Sequence, residues 1–218
     1  MKHRRIETID DTFSSYGRVE AMCKLVNDSN VKEEEWRSYL WNKVYKQEMF
    51  KGVVFPVGRG LDEDYSVMHQ ILHNAEKVVY NKSEFYYYYH VQGSISSNVL
   101  SDEDSAKKAF DRCSAIWERY VFIKEHTEYH RVLTLVQNQF VSDALAVLRY
   151  AYKHLDLFPK NYTQMVRKQI LDIDLPLSKQ MPDHFNTAKK IEFFIFKHSL
   201  PLYKFLARMY KKRYWQYK

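Results

Sequence analysis

Three consecutive acids, Asp62, Glu63 and Asp64, stand between a glycine-containing turn and a stretch with helical spacing, in the sequence GRGLDEDYSVMHQ (58–70). Carboxylates here can cap a helix, because Asp is a preferred N-cap and acids interact favourably with the unpaired N–H groups of the first turn. Two of them could also hold a metal ion, or one could act as a general base. Taken alone, the residues favour the role at the helix start, and metal binding is the weakest interpretation.

A pair of histidines follows the acids at a spacing known from zinc proteases. His69 and His73 are four residues apart and would share one helix face, but the residues between them lack the glutamate of the HExxH motif. We therefore expect two histidines on a helix surface. The sequence contains no nucleophile elbow, dinucleotide-binding glycine motif or P-loop that would indicate another enzyme class.

The composition is that of a folded protein in a reducing compartment. Apolar residues make up 45% and charged residues 28% of the 218 residues, and five glycines with five prolines argue against long linkers. Cys23 and Cys113 have no paired spacing, so we expect neither a disulfide framework nor a zinc site. No apolar run follows the basic N-terminus or is long enough to span a bilayer, which favours a cytoplasmic protein.

The net charge of +7 is concentrated at the C-terminal end. Residues 189–218 contain nine basic residues and one acid, so this segment carries +8 and the remainder −1. Leu202, Phe205, Leu206 and Met209 fall at i, i+3, i+4 and i+7, which predicts an amphipathic helix after Pro201. Such a helix can lie on an anionic membrane surface, or its apolar row can pack on the preceding helices. Nucleic-acid binding is disfavoured because no recognisable module is present.

Hydrophobic periodicity predicts an α/β chain that is mostly helical. We expect helices over 16–28, 32–49 and 64–75, and strands over 53–55, 77–80 and 84–91, the last two close in space. From Ser101 onward every pattern is helical, and Ser101 with the acids after it marks a helix start. The sequence thus predicts a mixed part over 1–100 and an all-helical part over 101–218, with the basic amphipathic tail at 189–218.

Three ordered segments resemble one known family. LWNKVYKQEMFKGVVFP (40–56), GLDEDYSVMHQILHNAEKVVY (60–80) and FYYYYHVQGSIS (85–96) are similar to the second half of bacterial family-2 glycosyltransferases of the GT-A fold. In that family a Trp-Asn-Lys motif precedes a short strand, an acidic pair opens a helix, and a tyrosine-rich strand leads to a Ser-Ile pair. The resemblance implies a partial GT-A-like, Rossmann-like fold followed by a helical extension.

The resemblance also implies roles for individual residues. Asp64 would be the general base that takes a proton from the acceptor hydroxyl, and Glu63 would orient the site. Lys43 matches the family lysine on the acceptor side, although it could equally be a solvated helix residue paired with an acid. The substrate contacts implied in this way are made by Trp41, Lys43, Tyr87, Tyr89 and His90.

The part of the family that binds the donor has no counterpart before Trp36. Neither the N-terminal strand and nucleotide-binding turn nor the DxD metal motif is found there, and the acids at 62–64 and 102–104 do not follow a hydrophobic strand as that motif does. The chain therefore resembles the acceptor-side half of the enzyme, and a truncated form is expected. The complete enzyme is expected to use a divalent metal, Mg or Mn, but no ligand for it is identifiable in this sequence.

The resemblance and the basic tail together indicate three binding partners. They are a nucleotide-sugar donor, a saccharide or lipid-linked acceptor, and an anionic membrane surface that contacts 189–218 at the inner face of the plasma membrane. The alternative is a non-catalytic binding or membrane-associating module derived from such an enzyme.

Overall fold

The computed structural model describes residues 13–26, 36–59, 62–83, 86, 89, 101–173 and 187–209. These residues form seven α-helices and one two-stranded antiparallel sheet. The chain divides into two compact units, one made of Met1–Phe55 and Val67–Val99 and the other of Pro56–Ser66 and Leu100–Lys218. The predicted class, mostly helical with a few short strands, is confirmed at this level.

The first unit contains the sheet. Strand β1 (Phe13–Gly17) leads directly into helix α1 (Arg18–Val26), and β2 (Lys77–Asn81) pairs with β1 from Phe13↔Asn81 to Gly17↔Lys77. The strand predicted over 77–80 is confirmed. The helix predicted over 16–28 is confirmed over Arg18–Val26, whereas Tyr16 and Gly17 belong to β1 and 27–28 lie outside the described residues. Strand β1 was not predicted, because FSSYG is mostly polar and exposed and lacks an apolar alternation. Of the strand predicted over 84–91, the structure describes only Tyr86 and Tyr89, neither of which lies in a strand.

The prediction of a helix over 32–49 is wrong for residues 36–49, the part of that range that the structure describes. Residues 37–42 form bends and turns, 43–46 have no regular structure, and a 3₁₀ turn (Gln47–Phe50) follows them. Side chains bond to backbone oxygens in and next to this segment. The Lys43 ammonium donates to Arg37 O and Tyr39 O. Asn74 Nδ2 donates to Met49 O and Lys51 O, both at 2.9 Å. These contacts replace the helical pattern that the apolar spacing suggested.

Two further predictions in this unit are corrected. Val53, Val54 and Phe55 form no strand, and Val54 is 76% exposed. Helix α2 (Glu63–Asn74) is present as predicted, but His69 is buried rather than on the surface. Residues 65–69 are all buried, so this part of α2 has no solvent face on which a histidine could lie.

The described part of the second unit consists of the first turn of α2 and five more α-helices. They are α3 (Asp102–Glu125), α4 (His130–Lys153), α5 (Tyr162–Asp172), α6 (Thr187–His198) and α7 (Leu200–Met209), joined in part by 3₁₀ turns at Thr127–Tyr129 and Leu155–Leu157. Helix α3 packs along α4, and α7 packs on α4 and α6. In the described part of the chain no helix is long and apolar enough to cross a membrane.

The start of α3 follows the predicted capping pattern. Ser101 Oγ accepts a hydrogen bond from Asp104 N at 3.0 Å, and Asp104 Oδ2 accepts one from Ser101 N at 3.3 Å. This reciprocal capping box satisfies N–H groups that have no partner within the helix. The predicted helix start at Ser101 is therefore confirmed.

Candidate functional site

The acidic triplet begins on a residue with unusual backbone geometry. Asp62 has φ +59°, in the left-handed region that Asp and Asn tolerate better than other non-glycine residues. Its carbonyl oxygen accepts the first helical bond of α2 from Ser66 N at 3.0 Å. Its side chain does not turn back onto the helix but accepts a hydrogen bond from Arg112 Nη1 at 3.2 Å. Asp62 thus begins the helix through its backbone and anchors the turn through its carboxylate.

Glu63 and Asp64 occupy the first turn of α2, where Glu63 is exposed and Asp64 is half-buried. Local burial raises the pKa of Glu63 above its usual value, and the nearby carboxylates of Asp64 and Asp62 raise it further, while a backbone hydrogen bond acts in the opposite direction. The turn therefore concentrates negative charge at the residues that the resemblance assigns to catalysis. This charge has a cost to stability that can be measured.

Replacing Glu63 by Gln is expected to stabilise the protein at pH 7. The pKa of Glu63 is higher in the folded protein than in the unfolded chain, where it is about 4.3. Folding therefore becomes less favourable as the pH rises from that value through the folded-state pKa, because the folded protein holds the proton more tightly. The gain should stay below about 1 kcal/mol, since solvent screens an exposed group. Urea unfolding at pH 7 should show this gain, and at pH 4 it should shrink.

The exposed acid Glu76 provides the control for this prediction. Glu76→Gln should leave the free energy of unfolding unchanged at both pH values, because Glu76 lies outside the triplet. A loss of stability in Glu63→Gln at pH 7 would contradict the prediction and show that the charge is favourable at the helix start.

Arg112 on α3 links the triplet to a carboxylate on α4. Its Nη1 lies 3.2 Å from Asp62 Oδ1, and its Nε lies 3.5 Å from Asp143 Oδ2. Burial raises the pKa of Asp143, and the positive charges of Arg112 and Lys189 oppose that rise. Sequence reasoning missed Arg112 and Asp143. The only signal for Asp143 in the sequence was its position directly before an apolar run of α4, ALAVL.

Tyr65, the residue after Asp64, contacts two arginines of α3 and a glutamine of α4. The guanidinium carbons of Arg112 and Arg119 lie 4.2 Å and 3.3 Å from the centre of its ring. Its hydroxyl donates to Gln139 Oε1 at 2.9 Å, and its carbonyl accepts from Arg119 Nη2 at 2.8 Å. A guanidinium over an aromatic face is a favourable electrostatic contact, stronger when desolvated. These contacts fix the first turn of α2 against α3 and α4.

The segment before the triplet is held on α3 and borders a groove. Arg59 makes a bidentate ion pair with Glu118 and a hydrogen bond to Ser66 Oγ, and Lys107 donates to Gly58 O at 2.9 Å. The groove is open, measures about 400 Å³, and has aromatic and proline walls beside these cations. It is lined by Pro56, Val57, Gly58, Arg59, Glu103, Ala106, Lys107, Phe110, Asp111, Leu157, Phe158 and Pro159.

Two of the predicted substrate-binding residues lie in the irregular segment of the first unit. Trp41 stacks on Tyr39, with ring centroids 4.9 Å apart, and contacts Tyr86 at the same distance. Lys43 Nζ donates to Arg37 O at 3.0 Å and to Tyr39 O and Asn42 Oδ1 at 2.6 Å. Lys43 is therefore not a helix residue, as one of the two predicted alternatives had it. The other alternative, a contact with the acceptor, stays a prediction.

The remaining predicted contacts are only partly described. Tyr89 is 76% exposed, whereas Tyr87 and His90 lie outside the described residues. No group of three or more His, Cys, Asp or Glu side chains in the described ranges could hold a metal ion. The residues around the triplet therefore do not fit a metal site, and Asp62 Oδ1 is already bonded to Arg112.

The apolar row predicted on the last helix is exposed. Leu202, Phe205, Leu206 and Met209 are 45%, 59%, 41% and 61% exposed. Helix α7 packs instead through two other side chains, Tyr203 and Ala207, and the Tyr203 hydroxyl donates to Leu145 O at 3.0 Å. The prediction that the row packs on preceding helices is therefore not met in the described residues.

Comparisons with protein-family models, with curated proteins and with solved structures found no match to this chain.

Proposed function

We propose that the chain is the acceptor-side part of a family-2 glycosyltransferase. It would transfer a sugar from a nucleotide-sugar donor to a saccharide or lipid-linked acceptor in surface polysaccharide synthesis, at the cytoplasmic face of the membrane. The proposal rests on the resemblance over 40–96. The observation that supports it best is that Glu63 and Asp64 open helix α2 on an anchored turn, in the order that the resemblance predicts.

In this proposal Asp64 is the general base. The acceptor hydroxyl gives its proton to the Asp64 carboxylate as its oxygen bonds to the anomeric carbon, and the bond from that carbon to the nucleoside diphosphate breaks. A carboxylate suits the step because it is ionised at neutral pH and the proton leaves only as the new bond forms. Asp62, Arg112 and Tyr65 would keep the turn in place.

The test is a transfer assay on the protein made from the complete genomic reading frame that carries this chain. A panel of labelled UDP-, GDP- and dTDP-sugars is incubated with a membrane extract as acceptor, with Mg²⁺ or Mn²⁺ and with EDTA. Metal-dependent incorporation of label is the expected result. Failure of every donor to give product, with no binding of any donor by calorimetry, would contradict the proposal.

A second candidate function is peripheral association with an anionic membrane. It is favoured by the exposed row on α7, since large apolar side chains on a helix surface mark interaction sites when they cluster. Basic residues accompany the row: Lys190 and Arg208 are exposed, and Lys197 and Lys204 are half-buried. Each basic residue near an anionic surface contributes about 1 kcal/mol to binding. Apolar insertion and charge attraction would then act together.

Removing two apolar side chains of the row should weaken binding to vesicles. Phe205→Ser with Met209→Ser is expected to lower partitioning into phosphatidylcholine and phosphatidylserine vesicles by at least about 10-fold, because a buried large side chain contributes about 1.5–3 kcal/mol. Cosedimentation with vesicles at two salt concentrations measures it. Raised salt should weaken the wild-type protein further.

The matched control replaces two exposed apolar side chains of another helix by Ser. Met165→Ser with Leu171→Ser alters two side chains of α5 that are 44% and 38% exposed, and it should leave vesicle binding unchanged. Equal binding of wild type and of the α7 variant would contradict the prediction. So would a dimer that forms through the row and does not bind vesicles, which light scattering would reveal.

A further inference from the structure

Two basic side chains from different helices meet at one tyrosine of the second unit. Tyr152 lies near the C-terminal end of α4, which packs on both α5 and α7. Lys204 of α7 places its Nζ 5.4 Å from the centre of the Tyr152 ring. Burial raises the pKa of the Tyr152 hydroxyl, and a hydrogen bond with Thr163 and the positive charge of Arg167, both on α5, oppose that rise. Arg167 and Lys204, which we call the cation pair, therefore lie close to the same phenol.

The cation pair has no acidic partner among the described residues. Neither Arg167 nor Lys204 forms an ion pair with another side chain in that part of the chain. Two acids on neighbouring helices are already bonded to arginines, Asp143 to Arg112 and Glu192 to Arg149. Helix α7 contains no acid, and α5 has one only at its last residue. The charge that balances the pair must therefore come from outside these helices.

Arg167 also carries a buried donor without a hydrogen bond. Its Nε is shielded from solvent and has no acceptor among the described residues. Buried polar groups nearly always have a partner, and an exception calls for an ordered water or an ion. Both side chains of the cation pair are otherwise half-buried, so solvent reaches them. An anion can therefore approach from outside and supply the acceptor.

The chemistry of the site favours one class of anion. A planar guanidinium presents several donors that match phosphate oxygens, and an ammonium adds a compact positive charge. Two positive charges balance a phosphomonoester, which carries about −1.5 to −2 at pH 7, better than they balance a phosphodiester with a single charge. The hydroxyls of Tyr152 and Thr163 offer further hydrogen bonds to phosphate oxygens. A neutral ligand would leave both charges of the site unbalanced.

We propose that the cation pair binds the terminal phosphomonoester of a ligand beside Tyr152. The site adjoins the exposed apolar row of α7, since Phe205 directly follows Lys204. A lipid such as phosphatidic acid would therefore place its phosphate at the pair and its chains against the row. That source rests on the second candidate function. The site itself does not, because a soluble phosphomonoester would make the same contacts.

The first arm of the test measures lipid preference. The full chain is sedimented with phosphatidylcholine vesicles that contain phosphatidic acid or phosphatidylserine, adjusted to equal surface charge. We expect binding to phosphatidic acid to be at least about 10-fold tighter, because two charge-assisted contacts add to the general attraction of the surface. Arg167→Gln and Lys204→Gln should each reduce this preference to about 2-fold or less.

The matched control for this arm is Arg208→Gln. It removes an exposed charge one turn further along α7, outside the cation pair. Because this charge contributes only to the general attraction, its loss should weaken binding to both kinds of vesicle alike and leave the preference for phosphatidic acid unchanged.

The second arm uses soluble anions. Inorganic phosphate and glycerol 3-phosphate are compared with chloride at constant ionic strength, and the Tm of the full chain is measured. A ligand that binds only the folded protein raises Tm, so a soluble phosphomonoester should raise it in the wild type and not in Arg167→Gln. Circular dichroism checks that Arg167→Gln is folded, and Lys204→Gln gives the same test on a different helix.

The outcomes separate the site from the membrane function. A phosphatidic acid preference that Arg167→Gln and Lys204→Gln lose supports a lipid as the source. A rise in Tm without vesicle binding supports a soluble ligand and contradicts the membrane function. If Phe205→Ser with Met209→Ser loses binding to both lipids while Arg167→Gln keeps the preference, the membrane function stands and the site fails. Absence of both the preference and the rise in Tm would overturn the proposal.

Discussion

Asp64→Asn is expected to abolish sugar transfer by the complete protein. The amide keeps the size of the side chain but cannot take the proton from the acceptor hydroxyl, and loss of a general base lowers rates by about 10²–10⁴-fold. The value of kcat should fall while the Kd for the saccharide changes little, because the change affects proton transfer and not binding. Steady-state kinetics with the best donor of the panel, together with titration of the acceptor, would measure both quantities.

Two variants control this prediction. Asp64→Glu keeps a carboxylate at a shifted position and should retain part of the activity, whereas Asp156→Asn, an exposed acid of the second unit, should retain all of it. Thermal unfolding of Asp64→Asn should match that of the wild type. Full activity in Asp64→Asn would remove Asp64 from the mechanism.

Among the variants named here, Arg119→Ala is expected to lower the free energy of unfolding the most. Arg119 is fully buried, donates to Tyr65 O at 2.8 Å and lies 3.3 Å from the centre of the Tyr65 ring. A hydrogen bond from a charged group is worth about 1.5–3 kcal/mol, and a desolvated cation–π contact about 2. Truncation also leaves a cavity. The cost of keeping a guanidinium away from water offsets part of this sum.

We therefore expect Arg119→Ala to lower the free energy of unfolding of the helical unit by about 2–4 kcal/mol. Urea unfolding followed by circular dichroism at 222 nm measures it. Arg119→Met should lose less, since its side chain fills much of the same volume without a charge. Arg131→Ala on the exposed side of α4 is the matched control and should stay within about 0.5 kcal/mol of wild type. No loss in Arg119→Ala would show that the contacts only balance the desolvation cost.

Elements with strong local signals could be predicted from the sequence. Helix α2 was expected over 64–75 and runs over Glu63–Asn74, and the Ser101 capping box begins α3 as predicted. Both signals depend on groups within one turn of each other, an N-cap and the N–H groups it satisfies, so no distant part of the chain is needed. The short strand β2 followed from a run of β-branched and aromatic residues in the same way.

The candidate site was only half predictable. Glu63 and Asp64 were identified through the ordered motifs around them, but Arg112, Asp143 and the contacts of Tyr65 were not. Those residues come from α3 and α4, more than 40 positions away along the chain. Their meeting depends on the packing of helices, about which a single sequence without an alignment carries no direct signal.

What the sequence by itself determined about this protein is the helical character after Ser101, the start of α2, the basic apolar tail and the order of the three family-like segments. The tertiary structure alone decided that β1 pairs with β2, that His69 is buried, that Lys43 bonds to oxygens within 37–42, and that α7 leaves its apolar row exposed. The physical reason is the range of the interactions. Capping and periodicity act within a turn or two, whereas burial and side-chain bonds to backbone oxygens depend on which surfaces meet when the chain folds.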